Sequence, residues 1–150
     1  MRWIQASPVR RLELAAAWLS LAAGAVHAMA GPAHLAEWWA YGLFFFGAAA
    51  FQAAYGLLLF TRGIEGWGGW LAVRGKVYVG GIVFTAAIIL VWVVSRTVGV
   101  PVGPDALEPE GIGVLDLTSK AVEAALLIAL ARLWWLAKGL RPSETAGGPP

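Results

Sequence analysis

Two groups of residues in this chain have the types and spacing that chemistry requires. His34 and Glu37 stand three apart, so on a helix they share a face, with Tyr41 about one turn further on. Proline favours a first helical position, which makes Pro32 the expected start of that helix. His27 then approaches from the end of the preceding segment. Imidazoles and a carboxylate without thiolate suit a divalent transition metal such as zinc, copper(II), iron or manganese. His27, His34 and Glu37 are therefore candidate metal ligands. The simpler reading makes His34 and Glu37 hydrated residues of a connection and His27 a hydrogen-bonded packing residue, because this spacing is common.

The second group is Asp116, Lys120 and Glu123, at i, i+4 and i+7 on one helix face, with Glu110 shortly before them. An ammonium flanked by two carboxylates makes a polar cavity for an ion, a proton or a small ligand. The competing reading is a structural ion pair with Lys120 reaching outward to water. Glu123 is the deepest acid of the set.

The elements that position these residues follow from composition. Of 150 residues, 59% are hydrophobic and only 13% charged, where a soluble domain carries roughly a quarter charged residues. Mean hydropathy is +0.70. The apolar residues fall in four blocks, residues 12–30, 38–60, 77–95 and 114–137. Each is long enough to cross about 30 Å of hydrocarbon as a helix. Backbone groups in lipid must bond within their own segment, and strand-like alternation is absent, so each block is read as a helix. The expected fold is all-α, an antiparallel four-helix transmembrane bundle over residues 1–140, with the Pro/Gly/Ser/Thr-rich residues 141–150 as a disordered cytoplasmic tail.

Three connections join the blocks. The first is tight, around Gly31 and Pro32. The second, Thr61 to Gly75, is glycine-rich and holds Trp67 and Trp70. The third, Arg96 to Gly113, is the longest and carries Pro101, Pro104, Pro109, Asp105, Glu108 and Glu110.

Basic residues set the orientation. With the N-terminus inside, Arg2, Arg10, Arg11, Arg62, Arg74, Lys76, Arg132, Lys138 and Arg141 face the cytoplasm, and only Arg96 and Lys120 fall outside. Both termini are then cytoplasmic, and both candidate sites lie on the outer side. The basic leader, the first apolar block and Ala28-Met29-Ala30 also fit a cleaved signal peptide, which would leave three spans. The length of the block favours a retained span.

Other chemistries lack support. There is no cysteine, which removes disulfides, iron–sulfur clusters and thiolate metal sites. Phosphate-binding glycine loops, the serine-hydrolase elbow and H-E-x-x-H are absent. The two histidines flank one turn, unlike the facing pair that holds a haem. The basic residues cluster at span ends, so nucleic acid is not an expected partner. Ser20, Gln52, Tyr55 and Thr85 read as interhelical hydrogen bonds, worth about 0.6 kcal/mol each. Gly42, Gly47, Ala50, Ala54, Gly80 and Gly81 read as close-packing positions.

Pro32, His34, Glu37 and Trp38 form a P-x-H-x-x-E-W pattern, followed by Tyr41-Gly42-Leu43-Phe44-Phe45. With Arg96 to Pro104, Glu110 and Val114-Leu115-Asp116, this resembles a group of small, uncharacterised multi-span membrane proteins of GC-rich bacteria. The resemblance covers most of residues 20–125 and implies a bacterial inner-membrane location. It implies no activity, cofactor or catalytic residue.

The functional expectation is a non-enzymatic integral membrane protein with an outer-facing polar site. That site takes a metal ion or small ligand on His27, His34, Glu37, Glu110, Asp116, Lys120 and Glu123. The alternatives are an accessory subunit held in a larger membrane complex or homo-oligomer, and a redox or quinone-linked membrane enzyme. Its first partner is the lipid bilayer.

Overall fold

The computed structural model describes residues 7–61 and 70–139; Arg2, residues 62–69 of the second connection with Arg62 and Trp67, and the tail with Arg141 lie outside them. Four helices account for most of the described chain: α1 Pro8–Glu37, α2 Trp39–Thr61, α3 Trp70–Thr97 and α4 Val114–Gly139. They form an all-α four-helix bundle.

Helix α1 opens in the way its sequence dictates. Pro8 takes the first helical turn, and the Ser7 hydroxyl accepts the Arg10 N–H at 3.2 Å. The helix then runs through Gly31 and Pro32 for 30 residues, about 45 Å at 1.5 Å per residue. This corrects the expected turn at Gly31-Pro32 and the expected role of Pro32 as the start of the second helix. Proline forfeits one backbone hydrogen bond inside a helix, at a cost of about 3 kcal/mol in water. Packing against α2 holds the helix together here. A side chain at Gly31 would meet the Phe46 ring at 2.8 Å, so the bare backbone is what lets α2 lie against this stretch.

The turn falls instead on Trp38, in extended conformation, whose N–H donates back to the His34 carbonyl at 3.0 Å. One residue separates the two helices. Paired positions run in opposite order along them: Arg10 meets Leu59 and Phe60, Ser20 meets Gln52, and Gly31 meets Phe46.

The same opposed order holds for α3 and α4, where Arg96 meets Asp116 and Gly81 lies beside Leu130. Helix α3 begins at Trp70, ahead of the expected residue 77. Arg74 and Lys76 read as loop because they interrupt the apolar block, but lysine and arginine are good helix formers and simply extend it. Helix α1 packs on both α2 and α4, and α4 on α3. Contact between α2 and α3 is lighter, through the stacked Phe51 and Phe84 rings and the Tyr55 hydroxyl, which donates to the Val77 carbonyl at 3.1 Å.

Among the described residues, three helices (α1, α2 and most of α3) are long and apolar enough to cross a membrane. Helix α4 is not one of them by composition. It carries Asp116, Lys120, Glu123, Arg132 and Lys138.

The bundle is organised with hydrocarbon outside and polar groups inside. Leu43, Phe44, Val83, Leu90, Val91, Val93 and Ile128 are exposed, while Glu13, Ser20, His27, Gln52, Thr85, Ser119 and Glu123 are buried. The apolar core proper fills the half of the bundle nearest the start of α1. It is built from Ala16, Ala17, Tyr55, Leu59, Tyr78, Leu126, Leu130 and Leu133.

Candidate functional site

Glu123 is the centre of the buried polar half. It is fully buried (0% exposed) on α4, although it stands only nine residues into that helix. Lys120, one turn earlier, donates to its Oε2. From α1, His27 brings Nε2 to 3.4 Å from Glu123 Oε1. The other ring nitrogen of His27, Nδ1, faces the Ala23 carbonyl at 3.0 Å and Gln52 Oε1 at 2.9 Å. Ser20, one heptad before His27, donates its hydroxyl to the Gln52 backbone carbonyl at 2.7 Å. Three helices thus contribute to one connected array.

The contacts of the ring suit a proton on Nδ1. The Ala23 carbonyl only accepts, so we assign the Nδ1 hydrogen to that contact, with Gln52 Oε1 as its second acceptor. Nε2 is left to face a carboxylate oxygen. Glu123 Oε1 and Gln52 Nε2 have no hydrogen-bond partner in the described structure, and neither does Trp92 Nε1, whose ring centroid lies 6.0 Å from the Lys120 ammonium. Buried polar groups left in that condition are costly, and charges more so, unless something pairs them.

The other residues of interest fall into separate places. His34 and Glu37 pair with each other at 2.9 Å, as their spacing implies, but at the end of α1. His34 stacks on Phe45, with centroids 4.0 Å apart, and the same ring tilts against His27 at 5.6 Å. His27 and His34 are two turns apart on one helix, about 10 Å along its axis. Their nitrogens turn to different partners. Among the described residues, no three histidine, aspartate or glutamate side chains gather into a metal-binding group.

Asp116 does not flank Lys120, contrary to expectation. It pairs with Arg96 at 3.0 Å, and its second oxygen accepts the Gly113 N–H at 2.8 Å, closing the first turn of α4. Arg96 also holds Glu110. Arg96 therefore ties the 98–113 loop to both helices it joins. The loop is pinned from the other side by the Tyr41 hydroxyl, which donates to the Val102 carbonyl at 2.7 Å. Of the four residues expected to line one cavity, Lys120 and Glu123 belong to the buried array and Glu110 and Asp116 to the loop latch.

Sequence reasoning passed over a further buried acid. Glu13 accepts a hydrogen bond from the Tyr78 hydroxyl at 2.5 Å and lies 3.5 Å from Arg10. The Arg10 guanidinium donates to the Leu59 and Phe60 carbonyls at 2.9 and 2.7 Å, satisfying the end of α2. A signal was present: Glu13, Ser20, His27 and His34 recur at every seventh residue, a spacing that keeps them near one stripe of the helix. The basic leader beside Glu13 masked it.

Comparison with protein-family models, curated proteins and solved structures finds no match to this chain.

Proposed function

We propose that this chain is an integral membrane protein of the bacterial inner membrane whose interior, near the outer face, binds a small ion or ligand at His27, Lys120, Glu123 and Gln52. The observation that carries this reading is Glu123 itself. A carboxylate with no exposure, held by an ammonium and an imidazole, sits inside a bundle whose outer surface is leucine, valine and phenylalanine. Ionisable groups at membrane depth are expensive to place, and when they occur they face the interior and serve ion or ligand pathways.

The exposed apolar surface of α1, α2 and α3 supports contact with lipid, and α4 completes the bundle as the span that carries the charges. Its acids and lysine turn inward, where partners neutralise them. The distribution of arginine and lysine supports cytoplasmic termini. His34, Glu37 and the Arg96 latch then lie at the outer rim, above the buried array.

The chain's lack of cysteine makes the test direct. Single cysteines placed at Asp105 and at Lys138 are labelled in intact cells with a membrane-impermeant maleimide. The reading expects labelling at position 105 and none at 138 until the membrane is opened. Equal labelling at both positions, or recovery of the chain from the soluble fraction, contradicts it.

A second reading, an accessory subunit of a larger assembly, is favoured by one observation. Between α2 and α3 an open apolar cleft of about 290 Å³ is lined by Leu43, Phe44, Gly47, Phe84, Ala87 and Val91, among others. Purification in mild detergent distinguishes the readings: the accessory role requires a stoichiometric co-purifying protein, and the binding role does not.

A further inference from the structure

We infer that the ligand of the buried array is a single proton, shared between His27 Nε2 and Glu123 Oε1. The inference rests on the membrane-embedded site proposed above and assigns the chemical class of what that site takes.

The argument is one of hydrogen-bond valence. His27 Nδ1 is assigned as the donor to the Ala23 carbonyl, 3.0 Å away, which can only accept. A neutral ring protonated there presents a bare lone pair at Nε2. Opposite it, 3.4 Å away, stands Glu123 Oε1, which receives no hydrogen from any described group. Two lone pairs facing each other in a buried site repel. One proton turns the same geometry into attraction, either as imidazolium against carboxylate or as imidazole against carboxylic acid. The two forms differ only in which atom holds the hydrogen, and the array carries the same net charge in both.

The surrounding groups favour one exchangeable proton. From α4, the Lys120 ammonium occupies Glu123 Oε2, so it supplies a fixed positive charge and leaves Oε1 to the ring. From α2, Gln52 is neutral, and from α1, Ser20 is neutral and engaged with the Gln52 carbonyl. From α3, the Trp92 ring lies 6.0 Å from the Lys120 ammonium and Thr85 is a buried neutral hydroxyl. The next charges outward, Arg96, Asp116 and Glu110, are paired among themselves. On release, the proton passes to water; neutral His27 remains beside a Glu123 carboxylate still paired with Lys120. Lys120 has the most exposed side chain of the three, 14% against 5% for His27 and 0% for Glu123, so exchange with the outer water runs along it.

With only two histidines in the chain, imidazole nitrogen NMR reads this proton directly. The full-length protein is labelled with ¹⁵N-histidine, reconstituted in phosphatidylcholine/phosphatidylglycerol nanodiscs and titrated from pH 5 to 9; His34→Ala assigns the two rings. The expected result is a His27 Nδ1 that is protonated throughout. Its Nε2 is expected to carry hydrogen or share it with Glu123 Oε1. Glu123→Gln should abolish the protonated Nε2 signal across the range, and Glu123→Asp should retain it. A wild-type His27 whose Nε2 is a bare lone pair at every pH, or whose Nδ1 is unprotonated, overturns the inference even if the variants do not fold. That outcome in protein correctly inserted by the cysteine test leaves the membrane reading standing. Failed insertion counts against both.

Discussion

The His27 imidazole on α1 lies 3.4 Å from the Glu123 carboxylate on α4, both buried, although the two helices are separated by most of the chain. That contact joins the first and last elements of the bundle. Its energetics follow from what removal leaves behind. Breaking a buried ion pair from one side strands the other charge and costs about 3–5 kcal/mol, whereas replacing the whole set by apolar groups is often neutral.

Glu123→Ala is therefore expected to destabilise the detergent-solubilised protein by up to about 3 kcal/mol, because it leaves the half-buried Lys120 and the buried His27 without their shared partner. Glu123→Ala combined with Lys120→Met should recover much of that loss. Chemical unfolding followed by tryptophan fluorescence checks both. A double variant no more stable than Glu123→Ala counts against charge pairing as the cause.

Close approach of α1 and α2 depends on Gly24, where a side chain would meet the Ala49 carbonyl at 3.1 Å and the Ala53 nitrogen at 3.3 Å. Both neighbours are backbone and cannot rotate away. Gly24→Leu is expected to cost about 1–3 kcal/mol or more by overpacking. Gly47→Ala, with nothing within 4 Å of the added carbon, should be neutral or slightly stabilising through helix propensity. Thermal unfolding in the same detergent compares them.

Arg96 holds Glu110 in the loop and Asp116 at the start of α4. Arg96→Ala should free the 98–113 loop, seen as faster protease cleavage within it. Arg96→Lys should rescue only partly, because a single ammonium cannot reproduce the two-pronged guanidinium.

Helix α1 supplies Glu13, Ser20 and His27 to the interior, and Arg10 to the end of α2. A chain cut after Ala30 would lose all of them. The intact mass of protein extracted from membranes is expected to retain α1; a mass beginning after residue 30 would show processing and remove His27 from any role.

The sequence made some of this legible, and the reason differs by residue. The second helix is readable almost to the residue, because Trp38 to Phe60 is an apolar block broken only by Gln52 and tyrosines, and backbone in lipid must coil. The first turn was misplaced by Pro32. Proline's local preference points to a helix start, yet the packing of Gly31 on Phe46 carries the helix past it, and such tertiary contacts leave no local mark. His34 and Glu37 pair as their spacing states, since i, i+3 neighbours need only a helix. The partners of Asp116 and His27 were not readable. Arg96 and Glu123 reach them across helix interfaces, and one sequence does not say which faces of two helices meet.

The account stands on His27 and Glu123 being coupled inside the bundle, and a double-mutant cycle measures that coupling. Unfolding free energies are compared for wild type, His27→Ala, Glu123→Gln and the double variant in one detergent. The account predicts a coupling of about 0.5–3 kcal/mol, with the double variant less destabilised than the two single losses combined. Strict additivity, within a few tenths of a kcal/mol, would contradict it.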